Sequence, residues 1–168
     1  EVDATARAAR GVMRRLVEQH LGETALCVFL QGCCGDINPL RMARGDDRTA
    51  DFEVVEQVGR DLAQEVIQVL DRMGSEAGRA EQLRIASSTL SVQGRWDPQM
   101  AMDLGVTTLL VNDDIAILTM PGEPFHRFQR EFREKAGVEH SWIIGYCCDG
   151  PYDWPSYLPD LESAAYGG

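Results

Sequence analysis

The stretch Val106–Pro124, VTTLLVNDDIAILTMPGEP, decides the fold class. Its two apolar runs, 106–111 and 115–120, flank the turn-forming tripeptide NDD, and this pattern predicts a β-hairpin. The closing PGEP ends the second strand and opens a helix, because a proline at the first helical position loses no hydrogen bond. The stretch therefore predicts two strands that lead directly into a helix.

Helical and strand periods alternate along the rest of the chain. Apolar residues recur every three or four positions over 5–21 and, most regularly, over 52–73, and each stretch ends at a glycine. Continuous apolar runs predict buried strands over 25–30 and 141–146, and alternation predicts an edge or half-buried strand over 82–92. Together these elements predict an α/β fold with a mixed sheet or sheets and flanking helices.

The composition is that of a globular, acidic domain. The chain has 168 residues, of which 44% are hydrophobic, and its 16 Lys and Arg against 27 Asp and Glu give a formal net charge of −11. This length allows one domain, or a piece of a larger one, with a real core. The charge disfavours nucleic acid as a partner, because phosphates are bound by clustered Lys and Arg. No apolar run is long enough to predict a transmembrane segment.

The cysteines do not have the spacing of a disulfide scaffold. There are five, and four of them form the adjacent pairs 33–34 and 147–148. An odd number in adjacent pairs differs from the pattern of small secreted domains, and neither pair has the C-x-x-C spacing of a zinc ribbon. Cys27 lies in an apolar run and is interpreted as a small buried hydrophobic residue. The cysteines therefore leave the compartment open.

The loop 31–39, QGCCGDINP, follows the first predicted buried strand. Its glycines permit close approach of the backbone to a ligand, and α/β proteins bind ligands at the carboxyl ends of strands. The alternative is a tight turn in which Asp36 and Asn38 bond to their own backbone. The spacing alone favours the turn.

Glu123 lies at a second strand end, beside the expected start of a helix. The helix dipole favours an ionised carboxylate there, and such a carboxylate can bind a metal, act as a base or cap the helix. Glu123 and His126 also form an E-x-x-H pair, as in some carboxylate metal sites, but chance matches are common and a surface position is favoured for His126. His20 and His140 have no metal-ligand neighbour in the sequence.

The end of the chain is aromatic, rich in proline and acidic. Tyr, Trp and Pro crowd the segment 150–159, and no Lys or Arg occurs after residue 140. This composition fits the wall of a binding site with an edge that attracts cations. A packed surface loop with solvated carboxylates fits it equally well.

Taken together, these loops resemble the neutral/alkaline, non-lysosomal ceramidase family. The resemblance runs from about Gly22 onward, through QGCCGDINP, a long helix, strands closing in MPGE, an amphipathic helix, a strand ending in GY, and SYLP before AYGG. It implies a zinc-dependent amidohydrolase that cleaves the amide bond of an N-acyl lipid such as ceramide. It also implies that 1–168 is the C-terminal portion of a larger α/β catalytic domain.

The resemblance further implies a zinc site of two His, one Glu and one Tyr. The Glu ligand falls on Glu123 and the Tyr ligand on Tyr157, with Tyr152 as the alternative. Both His ligands would precede the loop 31–39, where this chain has only His20, in a helix that does not match. Two further histidines are therefore expected upstream of this chain, and the 168 residues alone are expected to bind zinc weakly and to hydrolyse nothing.

At one position the chain departs from the family pattern. The family loop reads GDVSP, and its Ser has been given a part in amide hydrolysis, whereas this chain reads GDINP with Asn38. An amide can polarise a carbonyl but cannot be an alcohol nucleophile, although a zinc-bound water could still attack. Asp36 and Asn38 are therefore expected to line the site or orient the carbonyl, and the substrate is expected to be a small-molecule or lipid amide.

A rival hypothesis comes from another class of protein. A non-catalytic module derived from the same family could bind a lipid or a carbohydrate through the aromatic tail. It predicts no metal, and a loss of ligand binding in a Trp154→Ala variant.

Overall fold

The computed structural model describes residues 2–22, 24–38, 48–73, 81–94, 97, 99–147 and 153–163. The chain divides into two compact units, and the elements within the described residues follow in chain order. The first unit comprises Glu1–Phe29 and Asn38–Gly78, and the second comprises Leu30–Ile37 and Arg79–Gly168. The elements are α1 (Val2–Leu21), α2 (Arg48–Met73), β1 (Leu83–Gln93), β2 (Ala101–Val111), β3 (Ile115–Thr119), β4 (Glu123–Pro124), α3 (His126–Lys135), β5 (His140–Ile144) and β6 (Tyr157–Leu158).

The first unit is a pair of helices, α1 and α2, as their apolar periods predict. Met13, Val17 and Ala63 form its buried core. Gly59 lies where the helices touch, because a Cβ there would collide with Val12. Gly22 ends α1 as predicted, with φ +102° and its N–H donating to the carbonyl of Glu18 at 3.0 Å. No helix in the described residues is long and apolar enough to cross a membrane.

The predicted buried strand over 25–30 is wrong. The structure has no strand there, and Leu26 and Val28 are 76% and 66% exposed. Side chains of α1 bond to the backbone of Cys27 in this segment, where a neighbouring strand was expected. The N–H of Cys27 donates to the carboxylate of Glu18 at 2.9 Å, and its carbonyl accepts from Arg14 Nε at 2.6 Å. Cys27 itself is half-buried and packs against the core of the first unit.

The second unit contains a mixed sheet, which confirms the predicted α/β class. Its strand order is β1-β2-β3-β5, antiparallel except for the parallel pair of β3 and β5. The predicted hairpin is the β2–β3 pair, and Asn112 and Asp113 take positive φ values of 52° and 63° in its turn, which Asn and Asp tolerate better than most residues. For β1 the sequence left an edge strand and a half-buried strand as alternatives, and the structure shows the edge strand, exposed along its whole length.

Helix α3 packs on β5 and closes the free edge of that strand. The side-chain amide of Gln129 donates to the carbonyl of Ser141 at 2.9 Å and accepts from the N–H of Ile143 at 2.6 Å. These bonds replace the ladder that another strand would supply. Phe128 and Phe132 pack on the core of this unit, built around Cys33, Met120 and Ile143.

The prediction that Pro124 begins α3 is wrong by two residues. The helix starts at His126, and Pro124 belongs to the short strand β4. The reason lies in the backbone of Phe125, which is extended, with φ −75° and ψ 155°. Its N–H donates to the carbonyl of Leu158 at 3.1 Å, so the chain pairs with β6 before it turns into the helix.

Candidate functional site

The two strand-end loops that the sequence singled out lie against each other. The N–H of Gly35 donates to the carbonyl of Pro124 at 3.1 Å. A Cβ at Gly35 would collide with the carbonyl of Glu123 and with the ring of Phe125, so only glycine permits this approach. The contact therefore brings Asp36 to the amino end of α3.

The carboxylate of Asp36 holds the first residue of α3. It accepts a hydrogen bond from the backbone N–H of His126 at 2.8 Å and a second from the Nδ1 of the same residue. The side chain of Asp36 is only 20% exposed, whereas that of His126 is 57% exposed. A carboxylate at a helix amino terminus is favoured by the free N–H groups and by the dipole. Asp36 thus positions the His126 ring and fixes which ring nitrogen carries the proton.

The turn predicted for this loop is present, but Asp36 does not bond as that interpretation requires. The N–H of Ile37 donates to the carbonyl of Cys34 at 3.1 Å, which closes a turn. The carboxylate of Asp36 bonds instead to His126, a partner far along the chain. Asn38 is exposed and belongs to the first unit.

Glu123 and Tyr157, the two residues that the family resemblance assigns to the metal, are direct partners. They face each other in the parallel two-residue ladder of β4 and β6. Partners in such a ladder lie on strands about 4.8 Å apart, and their side chains leave the same face. The Tyr157 ring packs edge-on to Phe125 at 6.4 Å between ring centroids and remains 56% exposed. Tyr152, the alternative tyrosine, lies outside the described residues.

Gly122 lets the β6 segment come close to Glu123. Its φ is +65°, and a Cβ there would collide with the carbonyl of Pro155. The neighbouring N–H of Glu123 donates to the carbonyl of Ser156 at 2.8 Å. Glycine at this position is therefore needed both for the backbone angle and for the close approach.

Tyr146 is a site residue that the sequence reasoning missed. It follows β5, takes a positive φ of 57°, and its N–H donates to the carbonyl of Gly122 at 2.9 Å. Its hydroxyl interacts with the side chains of Glu123 and Cys34. Partial desolvation is the largest cause that raises the pKa of Tyr146 above its ordinary value, and the interactions with Glu123 and Cys34 raise it further. Tyr146 therefore stays a neutral hydroxyl that can orient the carboxylate of Glu123.

Cys33 is an inert thiol in this setting. It is 8% exposed and belongs to the core of the second unit. Burial raises the pKa of Cys33 to about 11. A hydrogen bond with the backbone of Gln129 opposes this rise, and the charges of Cys34 and Asp36 add to it. A thiol with such a pKa is protonated at neutral pH, and so it is a poor nucleophile.

The tail that carries Tyr157 is anchored to α3. Arg127 contacts Asp160 at 3.4 Å and Glu162 at 2.6 Å. The hydrogen bond from the Ser163 hydroxyl is the main cause that lowers the pKa of Asp160, and the nearby guanidinium of Arg127 acts in the same direction. Trp154 lies 6.2 Å from Tyr146 between ring centroids. In the described part of the tail, therefore, carboxylates are bonded to the protein rather than only solvated.

A cleft with a volume of about 750 Å³ opens in the second unit. Its walls come from β3, β5, α3 and the loop 30–37, all in the second unit. His126 lines it, whereas Glu123 and Tyr157 do not. Its apolar wall is formed by Leu30, Ile37, Ile117, Trp142, Ile143 and Ile144.

Of the four residues predicted for the site, the structure brings three into the second unit. Asp36, Glu123 and Tyr157 lie on segments joined by direct backbone contacts, and Asn38 lies in the other unit. The rule that ligands bind at the carboxyl ends of strands could also have found Tyr146, which follows β5. Nothing local in the sequence pairs Asp36 with a histidine 90 residues away.

Glu123 and Tyr157 could supply two oxygen donors to a metal. A carboxylate and a phenol oxygen on one face of the ladder are oxygen donors, and tetrahedral zinc takes four ligands. Within the described residues, no group of three or more His, Cys, Asp and Glu could hold a metal ion. His20, in the first unit, instead contacts the carboxylate of Asp71 through its Nε2 at 2.9 Å.

A scan against known protein families, a search of curated proteins and a search of solved structures each returned no match to this chain.

Proposed function

We propose that this chain carries part of the active site of a zinc-dependent amidohydrolase acting on an N-acyl lipid or a related amide. The observation that supports it most is the pairing of Glu123 with Tyr157, the two ligands assigned by the sequence resemblance, in one ladder. The resemblance to the ceramidase family supplies the reaction class. The two histidine ligands would come from outside these 168 residues.

In this proposal the residues of the chain have separate tasks. Glu123 and Tyr157 bind the metal, and Tyr146 orients Glu123 through its interaction with the carboxylate. Asp36 is a positioning residue, because its carboxylate is bonded to His126 and not directed at a substrate. Bound zinc would polarise the amide carbonyl and lower the pKa of a bound water toward ~7.

The test is amide hydrolysis by the full-length protein. An N-acyl substrate should be cleaved, a chelator should stop the reaction, and Glu123→Gln should lower kcat by at least about a hundredfold. The matched control is Glu131→Gln, which removes an exposed carboxylate of α3 that pairs with Arg127 and Lys135. Full activity in Glu123→Gln, or a loss of equal size in Glu131→Gln, would contradict the proposal.

The binding-module hypothesis keeps one observation in its favour. The exposed rings of Tyr146 and Trp154 lie together, and a cleft with an apolar wall opens in the same unit. It predicts that Trp154→Ala abolishes ligand binding in a protein that holds no zinc. Ligand binding without hydrolysis in the full-length protein would favour it over the amidohydrolase.

A further inference from the structure

The cleft of the second unit combines an apolar wall with a cationic wall. Besides the isoleucines and Trp142, the lining includes Arg130 and Arg133 of helix α3, which are three positions apart and therefore on one face of the helix. His126 begins the same face, and its partner is the Asp36 carboxylate. Among the described residues that line the cleft, none is an Asp or a Glu.

The two arginines differ from the other cations of α3. Arg127 contacts Glu131, Asp160 and Glu162, and Lys135 contacts Glu131. Within the part of the chain that the structure describes, Arg130 and Arg133 form no ion pair. In a protein with a net charge of −11, two guanidinium groups with no carboxylate partner among the described residues form a strong local contrast beside an apolar surface.

We propose that this cleft binds an amphiphile that consists of an apolar chain and an anionic head. The chain lies along Ile117, Trp142 and Ile144, and the head pairs with Arg130 and Arg133. Guanidinium groups bind carboxylates and phosphates through paired, charge-assisted hydrogen bonds, and a volume of about 750 Å³ is within the range of small-molecule sites. The inference does not depend on the proposed zinc chemistry, because neither Glu123 nor Tyr157 lines the cleft.

Four probes separate the contribution of the apolar chain to binding from that of the anionic head. Calorimetric titration of the chain with decanoate, decyl phosphate, decanol and acetate compares both anions with a neutral chain and with an anion that has no chain. Decanoate or decyl phosphate should bind at least about tenfold more tightly than decanol and acetate. The tighter of the two anions identifies the head as a carboxylate or a phosphate. Equal binding of decanol, or no binding of either anion, would overturn the proposal.

Variants of residues that line the cleft test whether the amphiphile binds there. The double variant Arg130→Gln with Arg133→Gln should reduce the affinity for the anion to that for decanol, whereas Lys135→Gln, on the same helix but outside the lining, should change it less than about twofold. Gly32→Leu should fill the cleft and abolish binding, since a Cβ there meets only the carbonyl of Ile143 at 3.9 Å. Unchanged binding in the double variant, or an equal loss in Lys135→Gln, would refute the assignment.

Discussion

Glu123 and Tyr157 are direct partners in the parallel ladder of β4 and β6, although a helix and a strand separate them along the chain. The pairing is held by backbone bonds on both sides. The N–H of Glu123 donates to Ser156, and that of Phe125 donates to Leu158. Any substitution that separates these two segments should therefore affect the proposed metal site without touching either ligand.

Gly122→Ala should be such a substitution. Its φ of +65° disfavours a side chain, and a Cβ would also meet the carbonyl of Pro155, so the unfolding free energy should fall by about 3 kcal/mol or more. Gly137→Ala is the matched control, because its φ is +67° but no atom lies within 4 Å of the new Cβ. Gly137→Ala should lower the unfolding free energy by only about 1 kcal/mol. Urea denaturation measures the unfolding free energy of both variants, and an equal loss in the two would contradict the close packing at Gly122.

Removal of the Asp36 carboxylate should loosen the start of α3. Asp36→Ala loses the hydrogen bonds to the N–H and to the ring of His126, and should cost about 1–2 kcal/mol of stability. Asp36→Asn keeps an oxygen acceptor for the N–H and should retain about half of that stability. Denaturation gives the free energies, and the ¹⁵N shifts of the His126 ring report its proton position. An unaltered ring spectrum in Asp36→Ala would show that the carboxylate does not position His126.

Cys33 should resist alkylation in the folded protein. Its pKa of about 11 against an ordinary 9.0 leaves about a hundredfold less thiolate at pH 8, before burial slows access further. The neutral thiol is the stabilised form, so its contribution to stability is present below pH 9 and is lost as the pH rises toward 11. Mass spectrometry after iodoacetamide treatment, with and without guanidinium, measures the rate at which Cys33 is alkylated. Labelling of Cys33 at the denatured rate at pH 8 would contradict its placement.

Acid should release the tail that carries Tyr157. The pKa of Asp160 is lowered by the Ser163 hydroxyl and by backbone N–H groups, so the carboxylate is the stabilised form. The resulting stability is present above the ordinary value of 3.8 and is lost as the pH falls below it. The NMR shift of the Ser163 amide proton should follow this titration, and Asp160→Asn should remove it. A shift that titrates unchanged in Asp160→Asn would point to another group.

Local patterns in the sequence were enough for most elements of this fold. The hairpin, the edge strand and the glycine that ends α1 follow from alternation and turn chemistry, which act between neighbours. The apolar run 25–30 predicts strand pairing, whereas in the structure Glu18 and Arg14 bond to the backbone of Cys27. Whether a strand finds a partner depends on distant residues, which periodicity does not record.

The site was less accessible to sequence reasoning than the fold. Its place at a strand end points to Glu123, whereas only the family resemblance points to Tyr157. The contact between Asp36 and His126 depends on Gly35, whose missing Cβ lets two loops meet. Tyr146 lies at the end of β5, where the strand-end rule applies, yet neither its positive φ nor its interaction with Glu123 can be read from the sequence.

The metal content of the full-length protein tests the central proposal most directly. Mass spectrometry of the purified protein should find about one zinc ion per chain, with the content greatly reduced in Glu123→Gln and in Tyr157→Phe. Tyr146→Phe should keep the zinc but weaken its binding about 10- to 100-fold, because it removes the hydroxyl that interacts with Glu123 and leaves both proposed ligands in place. A protein without zinc, or one whose zinc content is unchanged in both Glu123→Gln and Tyr157→Phe, would contradict the proposal.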